Sequence, residues 1–204
     1  MKTIILTGFD IFGPYSFNPS KDLVFYYNSK FIAGQEQIIG AVLPCTYFGA
    51  FKELAGIIDR ENPYAIISVG LSSSVKGVRI ETTFKNLMNG KYPDADGYDP
   101  KNVPIENGAP EALISTADNI HLLGLLYEKN IPVEISTNAD AYICNSLGYQ
   151  TTQKIIDEHL PIKNMFIHIP WTDNYRGEVE SHPDKIFIKK QKLHEAIEIL
   201  IKNI

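Results

Sequence analysis

An α/β fold, with a mostly parallel or mixed sheet covered by helices on both faces, is predicted by three features of the sequence. Short β-branched apolar runs alternate with longer segments whose apolar residues recur every three to four positions. The connections between most of them are brief. The opening run is continuously apolar rather than alternating, as in strands buried on both sides of a sheet.

The elements follow in order along the chain. Residues 3–8 (TIILTG) read as the first strand, and a glycine-punctuated loop leads from it to a helix. Asn18 suits the N-cap of that helix and Pro19 its first turn. Residues 37–44 (QIIGAVLP) form a second strand stopped by Pro44. A helix over 46–62 carries Phe48, Phe51, Leu54, Ala55 and Ile58 along one stripe. Residues 64–70 (YAIISVG) and 78–84 (VRIETTF) read as the third and fourth strands. Residues 87–110 crowd proline, glycine, asparagine and aspartate without a period, which predicts a long irregular arm of the kind used as a lid or partner contact. A helix around 117–129, a strand at 133–137 and a helix over 141–158 come next. They are followed by a strand at 165–170 (MFIHIP), a polar loop over 172–184 containing His182, and a closing helix from about 185.

The totals set limits on function. The 204 residues, 44% hydrophobic and 21% charged, are read as one domain spanning 1–204 with its own core. A net charge of −5 without a basic stripe argues against nucleic-acid or anionic-membrane partners. The apolar run at the amino terminus is too brief for a signal peptide or a membrane span, so a cytoplasmic location is expected. In that reducing setting Cys45 and Cys144 are expected to be free thiols.

Cys144 is placed where a strand has ended and a helix begins. A thiol in the first turn of a helix faces the positive end of the macrodipole and several free N–H groups, which favour thiolate and can hold an oxyanion. Position alone still favours an inert buried cysteine, and Cys45, just after Pro44, scores nearly as well. His168 closes an apolar strand, at the edge where open α/β sheets gather catalytic groups. Read singly, it is as well explained as a satisfied core histidine. Glu81 sits inside a strand-like run, where an acid usually faces solvent; beside a histidine it would instead fix the tautomer and stabilise the imidazolium. Dinucleotide and P-loop signatures, an HExxH motif, zinc-type Cys/His spacing and a GxSxG elbow are all absent.

Four segments taken jointly say more. Residues 6–20 (LTGFDIFGPYSFNPS), the SVG and RIE of 68–70 and 79–81, AYICN at 141–145 and FIHIP at 166–170 resemble, in order, the motifs of the pyroglutamyl peptidase I family. The resemblance covers nearly the whole chain. It implies a three-layer α/β/α sandwich with a twisted mixed sheet, a cysteine peptidase acting on peptides with a blocked amino terminus, no metal or cofactor, and a homo-oligomer, often a tetramer. Carried onto this sequence, Cys144 becomes the nucleophile, His168 the base and Glu81 its orienter. Phe9, Phe12 and Tyr142 would wall a flat slot for the lactam ring, with Leu71 and Lys91 also at the substrate.

Departures from the family pattern gather around that slot. Leu71 stands where a glutamine is usual, Lys91 where an arginine is usual, and Asp140 and Ala141 replace the glycine and threonine ahead of the cysteine. A lysine is a point charge and cannot reproduce the guanidinium fork; Lys91 is expected instead to pair with Asp140. These changes bear on substrate recognition rather than on reaction type. The alternatives are a cysteine amidase or peptidase with a different blocked amino-terminal substrate, and a non-catalytic binder that keeps the pocket.

Overall fold

A computed structural model of the chain describes residues 2–32, 36–179 and 185–204. Its centre is a seven-stranded mixed sheet built from β1 (Lys2–Phe9), β2 (Phe31–Ile32), β3 (Glu36–Leu43), β4 (Ala65–Leu71), β5 (Val78–Glu81), β8 (Val133–Ser136) and β9 (Lys163–Ile169). The strand order is β2-β3-β1-β4-β9-β5-β8. β3, β1, β4 and β9 run parallel, while β5 pairs antiparallel with β9 and parallel with β8.

Both faces of the sheet are covered, as the continuous apolar runs predict. On one face Ile4, Leu6, Ile67, Met165 and Ile167 pack under α1 (Pro19–Tyr27), α3 (Asn119–Glu128) and α6 (Lys190–Asn203). On the other, Ile5, Phe9, Ile66 and Phe166 pack under α2 (Gly49–Glu61) and α4 (Ile143–Asp157). Neighbours along a strand point to opposite faces, so Ile4 and Ile5 belong to different cores. Each fully buried Leu or Ile contributes about 1.5–3 kcal/mol relative to exposure, so the two layers supply most of the cohesion.

The helix starts are read correctly where chemistry marks them. The Asn18 side chain accepts from the Ser20 N–H and Pro19 occupies the first turn of α1. Elsewhere short elements depart from the expected pattern. The run at 78–84 is not one strand: it breaks at Thr82, whose N–H and hydroxyl both donate to the Ser136 carbonyl at 2.8 and 2.9 Å. Beyond the break, β6 (Thr83–Lys85) leaves the main sheet and pairs with β7 (Ala112–Ile114). The closing helix begins at Lys190 rather than 185, because Phe187–Ile188 (β11) first pairs with Trp171–Thr172 (β10). Within the segment expected as a polar loop, residues 173–179 form a 3-10 turn and a short helix, α5 (Arg176–Val179). The remainder, including His182, lies outside the described residues.

The long arm is irregular, as expected, but it is well anchored. Buried Asp94 accepts from the backbone N–H groups of Tyr47, Asp96 and Tyr98, and Ala95 N–H donates to the Cys45 carbonyl. Tyr142 donates to the Pro93 carbonyl at 3.1 Å, and Asn89 N–H to that of Ala141 at 2.9 Å. The arm is thereby fastened to the residues that lead into α4.

Candidate active site

Three parallel strands end where one helix begins. Phe9 closes β1, Gly70 and Leu71 close β4, His168 lies near the end of β9, and α4 starts beside them with Cys144 as its second residue. The register explains who meets whom. His168 is opposite Gly70 on one side and Arg79 on the other, while Glu81 is opposite Phe166. Glu81 is therefore the diagonal neighbour of His168 across an antiparallel pair, a separation that long side chains bridge. The Glu81 Oε1 accepts from His168 Nδ1 at 2.8 Å.

Glu81 does not face solvent; it is only 1% exposed, and its Oε2 has no hydrogen-bond partner. A buried carboxylate with one partner depends on that partner, and removing one member of such a pair leaves an uncompensated charge. The same contact gives His168 Nδ1 the proton when the ring is neutral, leaving Nε2 as acceptor on the Cδ2 edge.

Gly70 decides what that edge faces. A Cβ built on it would stand 2.9 Å from Cys144 Sγ, 3.1 Å from His168 Cδ2 and 3.1 Å from Phe166 Cζ. Thiol and imidazole thus converge on the space that a side chain at residue 70 would fill. Sequence reasoning noted Gly70 only as the end of a strand motif; its alternation with Ser68 and Leu71 could not reveal the close approach.

The two cysteines are now distinct. Cys144 is half-buried in the first turn of a 15-residue helix. Burial first, then the neighbouring Cys45 and Glu81, push its thiol pKa up, backbone N–H donation opposes them, and Asp140 adds a smaller upward push. Cys45 lies four residues before α2, outside any helix, and its thiol donates to the Asp10 carbonyl at 3.4 Å. Burial, with Asp10 secondary, pushes it up to about 12.

Two cavities meet at Cys144. One, about 150 Å³, is lined by Phe9, Phe12, Asn18, Cys45, Leu71, Tyr142 and Ile143. An apolar cavity of about that volume holds a benzene-sized molecule. Asn18 and Ser20 fix the loop beside it: Asn18 Nδ2 donates to the Asp10 carbonyl, and Ser20 Oγ accepts from Phe9 N–H. The other cavity, about 370 Å³, is polar and takes in His168, Glu81, Arg79, Ser72, Ser74 and Asp140. Leu71, Tyr142 and Cys144 belong to both.

Lys91 stands apart from this arrangement. It is exposed on the arm, with Nζ 5.3 Å from the Tyr92 ring centroid, and lines neither cavity. The expected Lys91–Asp140 ion pair is not formed. Asp140 instead takes a left-handed backbone, φ 67°, at the position where the motif carries glycine. Aspartate is among the few side chains that tolerate that region, which accounts for the exchange. Arg79, Ser72 and Ser74 were not foreseen as site residues, although Arg79, two residues before Glu81, shares its face of β5. Nor was Asn145, wholly buried, whose side chain accepts from Lys85 N–H and donates to the Lys85 and Leu87 carbonyls. It ties the first turn of α4 to the root of the arm. Among the described residues there is no cluster of three His, Cys, Asp or Glu side chains suited to a metal.

Comparison with known proteins supplies the class first: the fold and the sequence are those of a peptidase. The pyrrolidone carboxyl peptidase of Thermococcus litoralis superposes with a TM-score of 0.92 at 30% identity, over 99% of this chain and 92% of that one. Pyroglutamyl peptidase I from Bacillus amyloliquefaciens superposes equally well, with a TM-score of 0.92 at 26% identity over 100% and 96%. In sequence, the pyrrolidone-carboxylate peptidase of Klebsiella pneumoniae is 30% identical over 98% of this chain and 92% of its own. The sequence model of the pyroglutamyl peptidase family matches residues 2–201, and the chain belongs to that family.

Proposed function

We propose that the chain removes an amino-terminal pyroglutamyl group from peptides by acyl transfer through Cys144. The observation that carries this reading is the convergence of Cys144 Sγ and the His168 ring on the bare backbone of Gly70, with Glu81 2.8 Å from His168 Nδ1. Family membership and the peptidase relatives support the substrate class.

His168 takes the Cys144 proton on Nε2, and Glu81 stabilises the resulting imidazolium. The thiolate attacks the carbonyl that joins the lactam ring to the next residue. The negative oxygen of the tetrahedral intermediate is received by first-turn N–H groups of α4, without Lys91. The C–N bond then breaks, the leaving amine takes the proton from His168, and water hydrolyses the thioester. Phe9, Phe12, Tyr142 and Leu71 hold the lactam, which carries no charged amine and so suits an apolar slot.

The decisive assay compares fluorogenic pyroglutamyl, prolyl and glutaminyl amides. The pyroglutamyl amide is expected to be hydrolysed best. Cys144→Ser should abolish turnover with little change in melting temperature, whereas Cys45→Ser should retain it. Equal loss in both serine variants, or preference for another amide, would reject the assignment. The proposal also includes one peptidase domain over 1–204, a cytoplasmic setting and a homotetramer, as the family resemblance implies. No helix of the described residues is long and apolar enough to cross a membrane.

A further inference from the structure

We propose that Asp140 makes the enzyme prefer peptides whose second residue, the one released at the new amino terminus, has a cationic side chain over those in which it is acidic. The inference rests on the pyroglutamyl reading above and extends it to the leaving side of the scissile bond.

The two cavities at Cys144 divide the substrate. His168 must hand a proton to the leaving amine, and His168 lines the polar cleft but not the apolar slot. With the lactam in the slot, the residue beyond the scissile bond lies in the cleft. Besides the reacting Cys144 and the Tyr142 phenol, four groups in that cleft can carry charge: Arg79, Glu81, Asp140 and His168. Glu81 is bound to His168, and Arg79 Nε is held by Glu134 at 2.7 Å. Asp140 has no ion pair and no side-chain hydrogen bond among the described residues, and it is exposed. Lys91, the cation expected to neutralise it, is over Tyr92 instead. Asp140 is thus the uncompensated charge of the leaving side, presented from a backbone that the arm fixes through Asn89 and Ala141.

Because the carboxylate is exposed, its field is screened, and a modest effect is expected. Exposed ion pairs correspond to roughly two- to fivefold in an equilibrium. The test measures kcat/KM on pyroglutamyl-lysine, pyroglutamyl-alanine and pyroglutamyl-glutamate, each as a carboxyl-terminal amide so that no terminal carboxylate engages Arg79. Wild type should rank lysine above alanine above glutamate, by about two- to fivefold per step, with the spread narrowing as salt rises. Asp140→Asn keeps the side-chain shape and accepts a positive φ, and it should bring the three values together. Asp140→Gly should agree with it. Relief of the upward push on the Cys144 thiol acts on all three substrates alike, so the ratios isolate recognition from thiol activation. Equal rates in wild type, a ranking that survives Asp140→Asn, or glutamate ranked first because Arg79 dominates would each overturn the proposal. Failure to cleave any of the three would overturn the pyroglutamyl reading itself and this inference with it.

Discussion

At Gly70 the strand register brings a backbone without a side chain opposite His168, and Cys144 Sγ uses the vacancy. Gly70→Ala would place a methyl carbon 2.9 Å from the sulfur and 3.1 Å from the imidazole. An ångström of misplacement at reacting atoms costs on the order of 10²-fold in rate. We therefore expect Gly70→Ala to lose at least about that factor in kcat while keeping a cooperative thermal transition. Wild-type kcat in the alanine variant would mean that sulfur and ring do not need this close approach. Residues such as this mark the boundary of what the sequence discloses. The alternation of VRIETTF shows that Glu81 shares a face with Arg79, but not that β9 pairs beside β5 and sets His168 against the buried carboxylate. Cys45 and Cys144 looked alike because both follow the end of a strand; three-dimensional placement puts one in a helix turn and the other outside it. For Lys91 the sequence reading was wrong about its partner, since nothing in the arm's composition says which way a lysine points.

Helices announce themselves better than the short strands do. The cap of α1 and the apolar stripe of α2 are read from residue type and spacing, because those signals are local. β2, β6, β7, β10 and β11 span two or three residues each and exist only through partners elsewhere in the chain. Their pairing is tertiary, so no window of sequence contains it. Helix α4 carries a similar tertiary override. Gly148 lies within α4, where alanine normally stabilises a helix by up to about 1 kcal/mol. Here a Cβ would stand only 2.3 Å from the ring of buried Phe84. Gly148→Ala is expected to destabilise by about 1–3 kcal/mol, the cost of overpacking, in urea unfolding at unchanged m-value. A neutral or stabilised variant would show that Phe84 can swing aside and that β6 does not depend on this contact.

Over the whole molecule, the layered architecture was legible because continuous apolar runs and amphipathic helices leave few other ways to bury themselves. Strand order was not, since β5 and β8 reverse direction at the β9 boundary without any local mark. A ligand that occupies the slot should tighten this entire assembly. A pyroglutamyl aldehyde at a hundredfold excess over its dissociation constant adds about 2.7 kcal/mol, or roughly 5–10 °C in melting temperature at this size. An unmoved transition under saturating aldehyde would mean that the folded chain does not bind it. The β5–β9 pairing has one more consequence. Glu81 and His168 lie 87 residues apart in sequence, and a one-residue slip between their strands would turn the carboxylate to the opposite face. On the proposed mechanism, the chain on the ribosome carries its nucleophile before its base has been made, and its carboxylate waits without a partner. Until β9 emerges and docks in register, a nascent protein that works this way is chemically silent, and its first turnover would report that the last central strand is in place.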